Sequence, residues 1–122
     1  MDEYAVKFFY DPTTGKVPVR EYLDKVTSKE RAKILKYIEF LREHKGVLDE
    51  PYTRHIRDKI RELRVDFGGN RHRIFFFTFV GRNIILLNAF LKKTAKTPEK
   101  EIVQALNNYY KVISNHKLYE NR

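Results

Sequence analysis

Polar and apolar positions change their period several times along this chain. Tyr4 to Tyr10 (YAVKFFY) is aromatic and β-leaning, and Asp11-Pro12-Thr13-Thr14-Gly15 closes it with turn residues. Pro18 opens a short helix through about Val26. The period then becomes helical: Ile34, Leu35, Ile38 and Leu41 recur three or four residues apart. Thr27 and Glu30 stand at capping-box spacing ahead of that run and Gly46 behind it, predicting a helix over Ser28 to Lys45. Val47 to Lys59 reads as a polar connection.

Three runs of strand character follow. In Ile60 to Phe67, Leu63, Val65 and Phe67 alternate with Glu62, Arg64 and Asp66. Gly68-Gly69-Asn70 is a hairpin turn. Arg71 to Val80 (RHRIFFFTFV) is apolar on both faces after its charged start, as expected of a central strand covered on both sides. Gly81-Arg82-Asn83 turns into Ile84 to Phe90. Thr97 is placed to cap a last helix, with Pro98 at its first position and Ile102, Leu106, Tyr109 and Ile113 as its buried stripe. The order β-α-α-β-β-β-α predicts an α+β domain over residues 1–115. An antiparallel meander carries two N-terminal helices on one face, a C-terminal helix follows, and residues 116–122 form a flexible tail.

Composition narrows the function. At 122 residues, with 42% hydrophobic positions, the chain suits one packed domain. It has no cysteine, which excludes disulfides, thiolate chemistry and Cys-bound zinc. No apolar run approaches the roughly 20 residues of a membrane span, and the first residues lack a signal-peptide pattern, so a cytoplasmic protein is expected. Charge is uneven. Arg54 to Lys100 carries twelve Lys/Arg against four Asp/Glu, a net of +8 out of the whole chain's +9. Basic charge concentrated on sheet-forming segments suits a phosphate backbone, or an acidic protein covering the same surface.

Pleating decides which charges converge. Glu62, Arg64 and Asp66 share one face of their strand; Arg71 and Arg73 share a face of the next, with His72 opposite. If these strands are neighbours, Arg64, Arg73 and the Lys92/Lys93/Lys96 cluster surround one concavity. Any one of these cations alone is most simply a solvated surface charge. Arg64 and Arg73, however, lie among strongly apolar neighbours, where charges need a reason. Cleavage of RNA by its own 2′-hydroxyl needs a base, cations for the crowded phosphate and a proton for the leaving 5′-oxygen, and no metal. Clustered cations lower a neighbouring lysine's pKa and make it a better base. Arg64 and Arg73 are therefore the candidate phosphate binders, with Lys92 or Lys93 as base or charge stabiliser. Arg71, Lys96 and Arg61 are candidate RNA contacts around them. No metal or cofactor is expected. His72 and His55 are rival acid–bases, but His72 faces away from Arg73.

Glu62-Leu63-Arg64, Arg73-Ile74 opening an aromatic strand, and Phe90-x-Lys92-Lys93-Thr94-x-Lys96-Thr97-Pro98-x-x-Glu101-Ile102 resemble the phage Gp49-like branch of HigB toxins, within the RelE/ParE superfamily of type II toxin–antitoxin systems. The resemblance implies a RelE-like α+β toxin that cuts messenger RNA, usually on the translating ribosome, and is neutralised by a helix-turn-helix (HigA-like) antitoxin. One position departs from the pattern: Asn88 stands where members of this branch often carry histidine, and asparagine transfers no proton. Two other readings are open, a ParE-like gyrase-inhibiting toxin without nuclease activity and a non-catalytic nucleic-acid-binding module. The latter is weakened because no exposed aromatic platform can be told from core in the sequence.

Overall fold

A computed structural model describes residues 3–79 and 82–120 of the chain. Its elements are β1 (Ala5–Phe8), α1 (Pro18–Lys25), α2 (Ser28–Glu43), β2 (Thr53–Arg57), β3 (Ile60–Phe67), β4 (Asn70–Phe79), β5 (Asn83–Lys92) and α3 (Glu99–Ser114), with a 3-10 turn at His116–Leu118. The sheet order is β1-β5-β4-β3-β2, with β1 parallel to β5 and every other pair antiparallel. This is the expected α+β fold, with the three central strands as a meander. Val80 and Gly81, expected at the end of one strand and the start of a turn, lie outside the described residues.

Local chemistry accounts for the element boundaries. Thr27 and Glu30 close a reciprocal capping box at the start of α2. At its other end Gly46 N–H donates to the Leu41 carbonyl (2.9 Å) and Lys45 N–H to that of Arg42 (3.0 Å), the paired bonds of a Schellman stop. Gly46 has φ +80°, and a Cβ there would sit 2.6 Å from Thr78 Oγ1, so a side chain is excluded twice over. Gly68 and Gly69 both have positive φ between paired Phe67 and Asn70, which is what a two-residue primed turn requires. The start of α3 differs from expectation: Pro98 occupies the N-cap position in an extended conformation, and no side chain caps the helix.

The sheet is covered on both sides, so β4 is buried on both faces. On one face α1 and α2 pack Val19, Leu23, Ile34, Ile38 and Leu41 against Leu63, Val65, Ile74, Phe76, Ile84 and Leu86. On the other, α3 packs Ile102, Ala105 and Val112 against Phe75, Phe77, Ile85, Leu87 and Phe90. The expected stripes shift slightly. Leu35 and Ile113 are exposed, while Ala105 and Val112 enter the core, because the faces follow the true helical rotation and not every apolar position.

Three further findings correct the sequence expectation. The connection Val47–Lys59 contains an edge strand, β2, which alternation could not reveal because this edge carries the charged or polar side chains Arg54, His55 and Arg57 in place of an apolar face. Residues beyond Asn115, expected to be a frayed tail, are anchored as far as Tyr119. Its ring is 4% exposed within the α3-side core, its hydroxyl donates to the Tyr10 carbonyl (3.2 Å) and accepts from Tyr10 N–H (3.0 Å). Finally, β5 carries a bulge: Phe75 pairs with Asn88 but Phe76 with Leu86, leaving Leu87 as the extra residue. Ile85 and Leu87 face α3 before the bulge; after it the parity reverses, and Asn88, Phe90 and Lys92 take that same face.

Candidate active site

The α3-side face of the sheet is apolar only where α3 covers it. Beyond the first turn of that helix, successive strands present Arg54 from β2, Glu62 and Arg64 from β3, Arg71 and Arg73 from β4, and Lys92 from β5. Their side chains share one face because Arg54 pairs with Glu62, Arg64 with Arg73, and Arg71 with Lys92. Alternation within each strand delivers the residues, and the β5 bulge delivers Lys92.

Burial makes this cluster chemically unusual. Glu62 is 0%, Arg73 1% and Lys92 6% exposed. The Glu62 carboxylate lies 3.8 Å from Arg64 Nε and 4.0 Å from Arg73 Nε, close enough for attraction and too far for a hydrogen bond. Among the described residues neither Glu62 oxygen has a hydrogen-bond partner, nor do the Nε atoms of Arg64 and Arg73. Arg73 is held instead through Nη1, which donates to Asp66 Oδ1 (2.7 Å) and to the His72 carbonyl (3.0 Å). Burial pushes the Glu62 carboxyl above its ordinary pKa, against the opposing pull of Arg73, Lys92, Arg64 and Arg54. Burial likewise holds the Lys92 ammonium below its ordinary value; Glu62 opposes this, and Arg73, Arg64 and Arg54 reinforce it. In both groups burial disfavours the charged form, a perturbation that marks a candidate functional site.

On the opposite face a second buried polar group is fully satisfied. Glu30 accepts from Asn70 Nδ2 (2.7 Å), Thr27 N–H (3.2 Å) and Thr27 Oγ1 (3.0 Å), and lies 3.0 Å from His72 Nε2. His72 Nδ1 is 2.6 Å from the Tyr22 hydroxyl. The network closes with the imidazole proton on Nε2, donating to Glu30, and Nδ1 accepting from Tyr22. These bonds, that from Asn70 foremost, hold the Glu30 carboxyl down at about 2. Burial, reinforced by Glu30, pushes Tyr22 up to about 12.

The structure sorts the residues singled out in the sequence. Arg64, Arg73 and Lys92 come together, and Arg71 flanks them. Lys93 follows the end of β5 and is exposed, so the two adjacent lysines are not equivalent. Lys96 joins Lys92 and Arg54 around a small cleft of about 250 Å³. Arg61 does not join: it lies on the opposite pleat of β3 and donates to Thr53 Oγ1 (3.1 Å). His72 is turned away, as expected. Asn88 lies on the site face of the sheet but donates to the Glu101 carbonyl (3.4 Å) at the start of α3. Arg73, expected among exposed groups, is buried because β3 and β5 flank it and Asp66 caps it. Sequence reasoning missed Arg54 and the centrality of Glu62. The signal for Glu62 was present: a carboxylate in phase with Ile60 on a core-facing pleat. Among the described residues no three His, Cys, Asp or Glu side chains gather as they would around a metal ion. No described helix is long and apolar enough to cross a membrane.

The family described as Phage derived protein Gp49-like matches residues 21–110, from α1 to most of α3. The chain belongs to this family. The matched span of the Gp49-like family includes Arg54, Glu62, Arg64, Arg73, Asn88 and Lys92, so the whole cluster lies inside it. The chain is also 32% identical over 101 residues to a Mycobacterium tuberculosis protein named Probable endoribonuclease HigB1, in the CDC 1551 strain and equally in H37Rv. That match spans 83% of this chain and 78% of the relative. The FxKKTxKTP string pointed to the same Gp49-like and HigB grouping.

Proposed function

We propose that this chain is the toxin of a type II toxin–antitoxin pair and cuts messenger RNA without a metal, using the translating ribosome as its platform in the cytoplasm. The observation that carries this reading is the buried cluster of Glu62, Arg73 and Lys92 with the part-exposed Arg64 beside it. Lys92, its ammonium destabilised by burial, takes the proton of the ribose 2′-hydroxyl. The 2′-oxygen attacks the adjacent phosphorus, and Arg64 and Arg73 neutralise the charge that grows on the phosphoryl oxygens. The bond to the 5′-oxygen breaks, and that oxygen takes a proton from solvent, since Asn88 cannot supply one. Asp66, 65% exposed on its side chain, holds the Arg73 guanidinium until the phosphate replaces it. Arg54, Arg71, Lys93 and Lys96 supply sequence-independent attraction for the strand.

The test is induced expression followed by mapping of messenger RNA 5′ ends. New 5′ ends should appear with the wild-type chain, in cells and in translation extracts, and vanish with Lys92→Met. Intact messages with altered DNA supercoiling would instead indicate a gyrase-inhibiting toxin. A helix-turn-helix product of a neighbouring gene should bind the chain in a pull-down at moderate salt and suppress the cutting. Naked RNA cut as fast as translated RNA would remove the ribosome from the scheme.

A further inference from the structure

A second concave region adjoins the cationic cluster and has no role in the chemistry above. Tyr52, just before β2, accepts a backbone hydrogen bond from Arg64 N–H at its carbonyl (2.9 Å) and so stands beside that site residue. Its ring packs edge-on against Tyr37 (centroids 6.0 Å apart) and Phe40 (5.4 Å), both from α2. Tyr52 is 38% exposed and Tyr37 partly exposed. The two tyrosines line both of two adjoining crevices. One, of about 210 Å³, also carries Lys33, Arg64 and Asp66. The other, of about 500 Å³, runs outward along α2 past Phe40 and Lys36. The smaller crevice thus opens toward the phosphate-binding arginine, and the larger continues it.

The chemistry of this surface is specific. Part-exposed aromatic rings, interleaved with Lys33, Lys36 and Arg64, are what a single-stranded nucleic acid needs: cations for successive phosphates and π-faces for unpaired bases. Lys33 Nζ already lies over the Tyr37 ring at 5.6 Å, so Tyr52 is the more open ring. A purely apolar partner would cover Lys36 and Arg64 without offering them charge, whereas Lys33 is already met by the Asp66 carbonyl and the Tyr37 ring. Of the carboxylates along the crevices, Glu39 is engaged by Arg42 (2.6 and 2.9 Å) and Asp66 by Arg73 (2.7 Å), and Glu43 lies at the outer crevice, so a strand is drawn toward the Lys33 and Arg64 end. Strand spacing in a sheet puts the Tyr52 backbone roughly 10 Å from that of Arg73, two strands away. The Tyr52 ring lies toward α2 and Arg73 toward α3, so a strand that meets both passes over Arg64.

We propose that the Tyr37–Tyr52 crevice binds an unpaired RNA base flanking the phosphate held at Arg64 and Arg73, with Lys33 and Lys36 contacting the backbone on that side. This rests on the reading of the chain as an RNA-cutting toxin and adds to it a second contact along the strand. The base stacks in the crevice whatever its identity, so the site contributes affinity and register more than sequence choice.

The test is binding of an uncleavable 2′-O-methyl RNA octamer, followed by fluorescence anisotropy, with wild type, Tyr52→Trp, Tyr52→Leu and Tyr37→Leu. Leucine fills apolar volume but cannot stack. Both leucine variants should bind on the order of tenfold more weakly, whereas Tyr52→Trp should bind at least as well as wild type. All four should unfold at similar temperatures. A 4-thiouridine in the octamer should cross-link to the peptide carrying Tyr52. Equal binding by Tyr52→Leu and wild type, or no measurable binding by wild type, would overturn the proposal. So would a Tyr52→Leu variant that loses the protein antitoxin while keeping RNA. The toxin reading fails separately: no new messenger RNA 5′ ends in cells, with stacking-dependent octamer binding intact, would remove the cutting and leave the crevice.

Discussion

The two faces of the sheet each bury a glutamate, and the two are treated in opposite ways. Glu30, on the α2 side, is met by Asn70, Thr27 and His72, and its carboxyl is held at about 2. Glu62, on the α3 side, is surrounded by four cations, yet among the described residues neither oxygen makes a hydrogen bond, and its pKa is raised. Hydrogen bonds to the charged form hold it far better than unbonded charges at 3.8 to 4.0 Å, which cannot offset the loss of water. The difference separates a carboxylate that stabilises the fold from one the fold tolerates for the sake of its neighbours. Glu62 also acts on Lys92, opposing the fall in pKa that burial imposes on the lysine.

Several substitutions would break or sharpen this contrast. The largest effect is expected from Lys92→Met, which should reduce RNA cutting by at least ~10²-fold, the scale of losing one general base or preorganised charge. Arg64→Ala should cost on the order of tenfold or more in the same assay, with the secondary structure seen by circular dichroism unchanged. Glu30→Gln should do the reverse, lowering the thermal midpoint by several degrees while leaving cutting within a few-fold of wild type. Because the folded pKa of Glu30 lies below its ordinary 4.5, its contribution is fully present above that pH. It is lost as pH falls toward about 2, so the midpoints of wild type and Glu30→Gln should converge across that window. For Glu62 the sign is opposite. A raised folded pKa means that the native state holds the proton more tightly, so stability falls as pH rises above 4.5. Glu62→Gln should therefore leave the thermal midpoint at neutral pH unchanged or higher. It should also move the acidic limb of the pH–cutting profile to lower pH, since Glu62 raises the pKa of Lys92. An unmoved limb would mean that Glu62 does not act on Lys92. Smallest of all, Lys93→Ala should change cutting by less than about threefold, as expected of an exposed cation.

That last contrast shows where the sequence stops being legible. Alternation in Ile60–Phe67 and the glycines after it bring Arg64 and Arg73 to one site, but a turn over Gly68-Gly69-Asn70 leaves the register one residue off; the pairing of Phe67 with Asn70 is what sets Arg64 opposite Arg73. Alternation from Ile85 and Leu87 would have put Lys93, not Lys92, on the same face. A one-residue bulge reverses that phase, and no residue type in IILLNAF marks it, since its apolar positions fit either face. β2 was hidden for a related reason: an edge strand in a basic protein carries charges where a central strand carries core. Glu62 was visible as a residue but not as a site, because its strained electrostatics arise only once four separate segments surround it. The helices were easier to read, since the Thr27–Glu30 box and the Gly46 stop are local chemistry that survives without the rest of the fold.

The docking of Tyr119 on Tyr10, joined by Lys7 Nζ donating to the Tyr119 carbonyl at 3.0 Å, imposes an order in time. β1 is made early but cannot settle early: its pairing partner is β5, and the residue that closes over its end follows α3. During synthesis the first strand therefore waits, unpaired, until nearly everything described has emerged from the ribosome. A chain interrupted before residue 119 would leave that edge open and prone to degradation. Under the toxin function proposed above, late closure means that fragments do not acquire the finished molecule's stability, and only completed copies need to be neutralised.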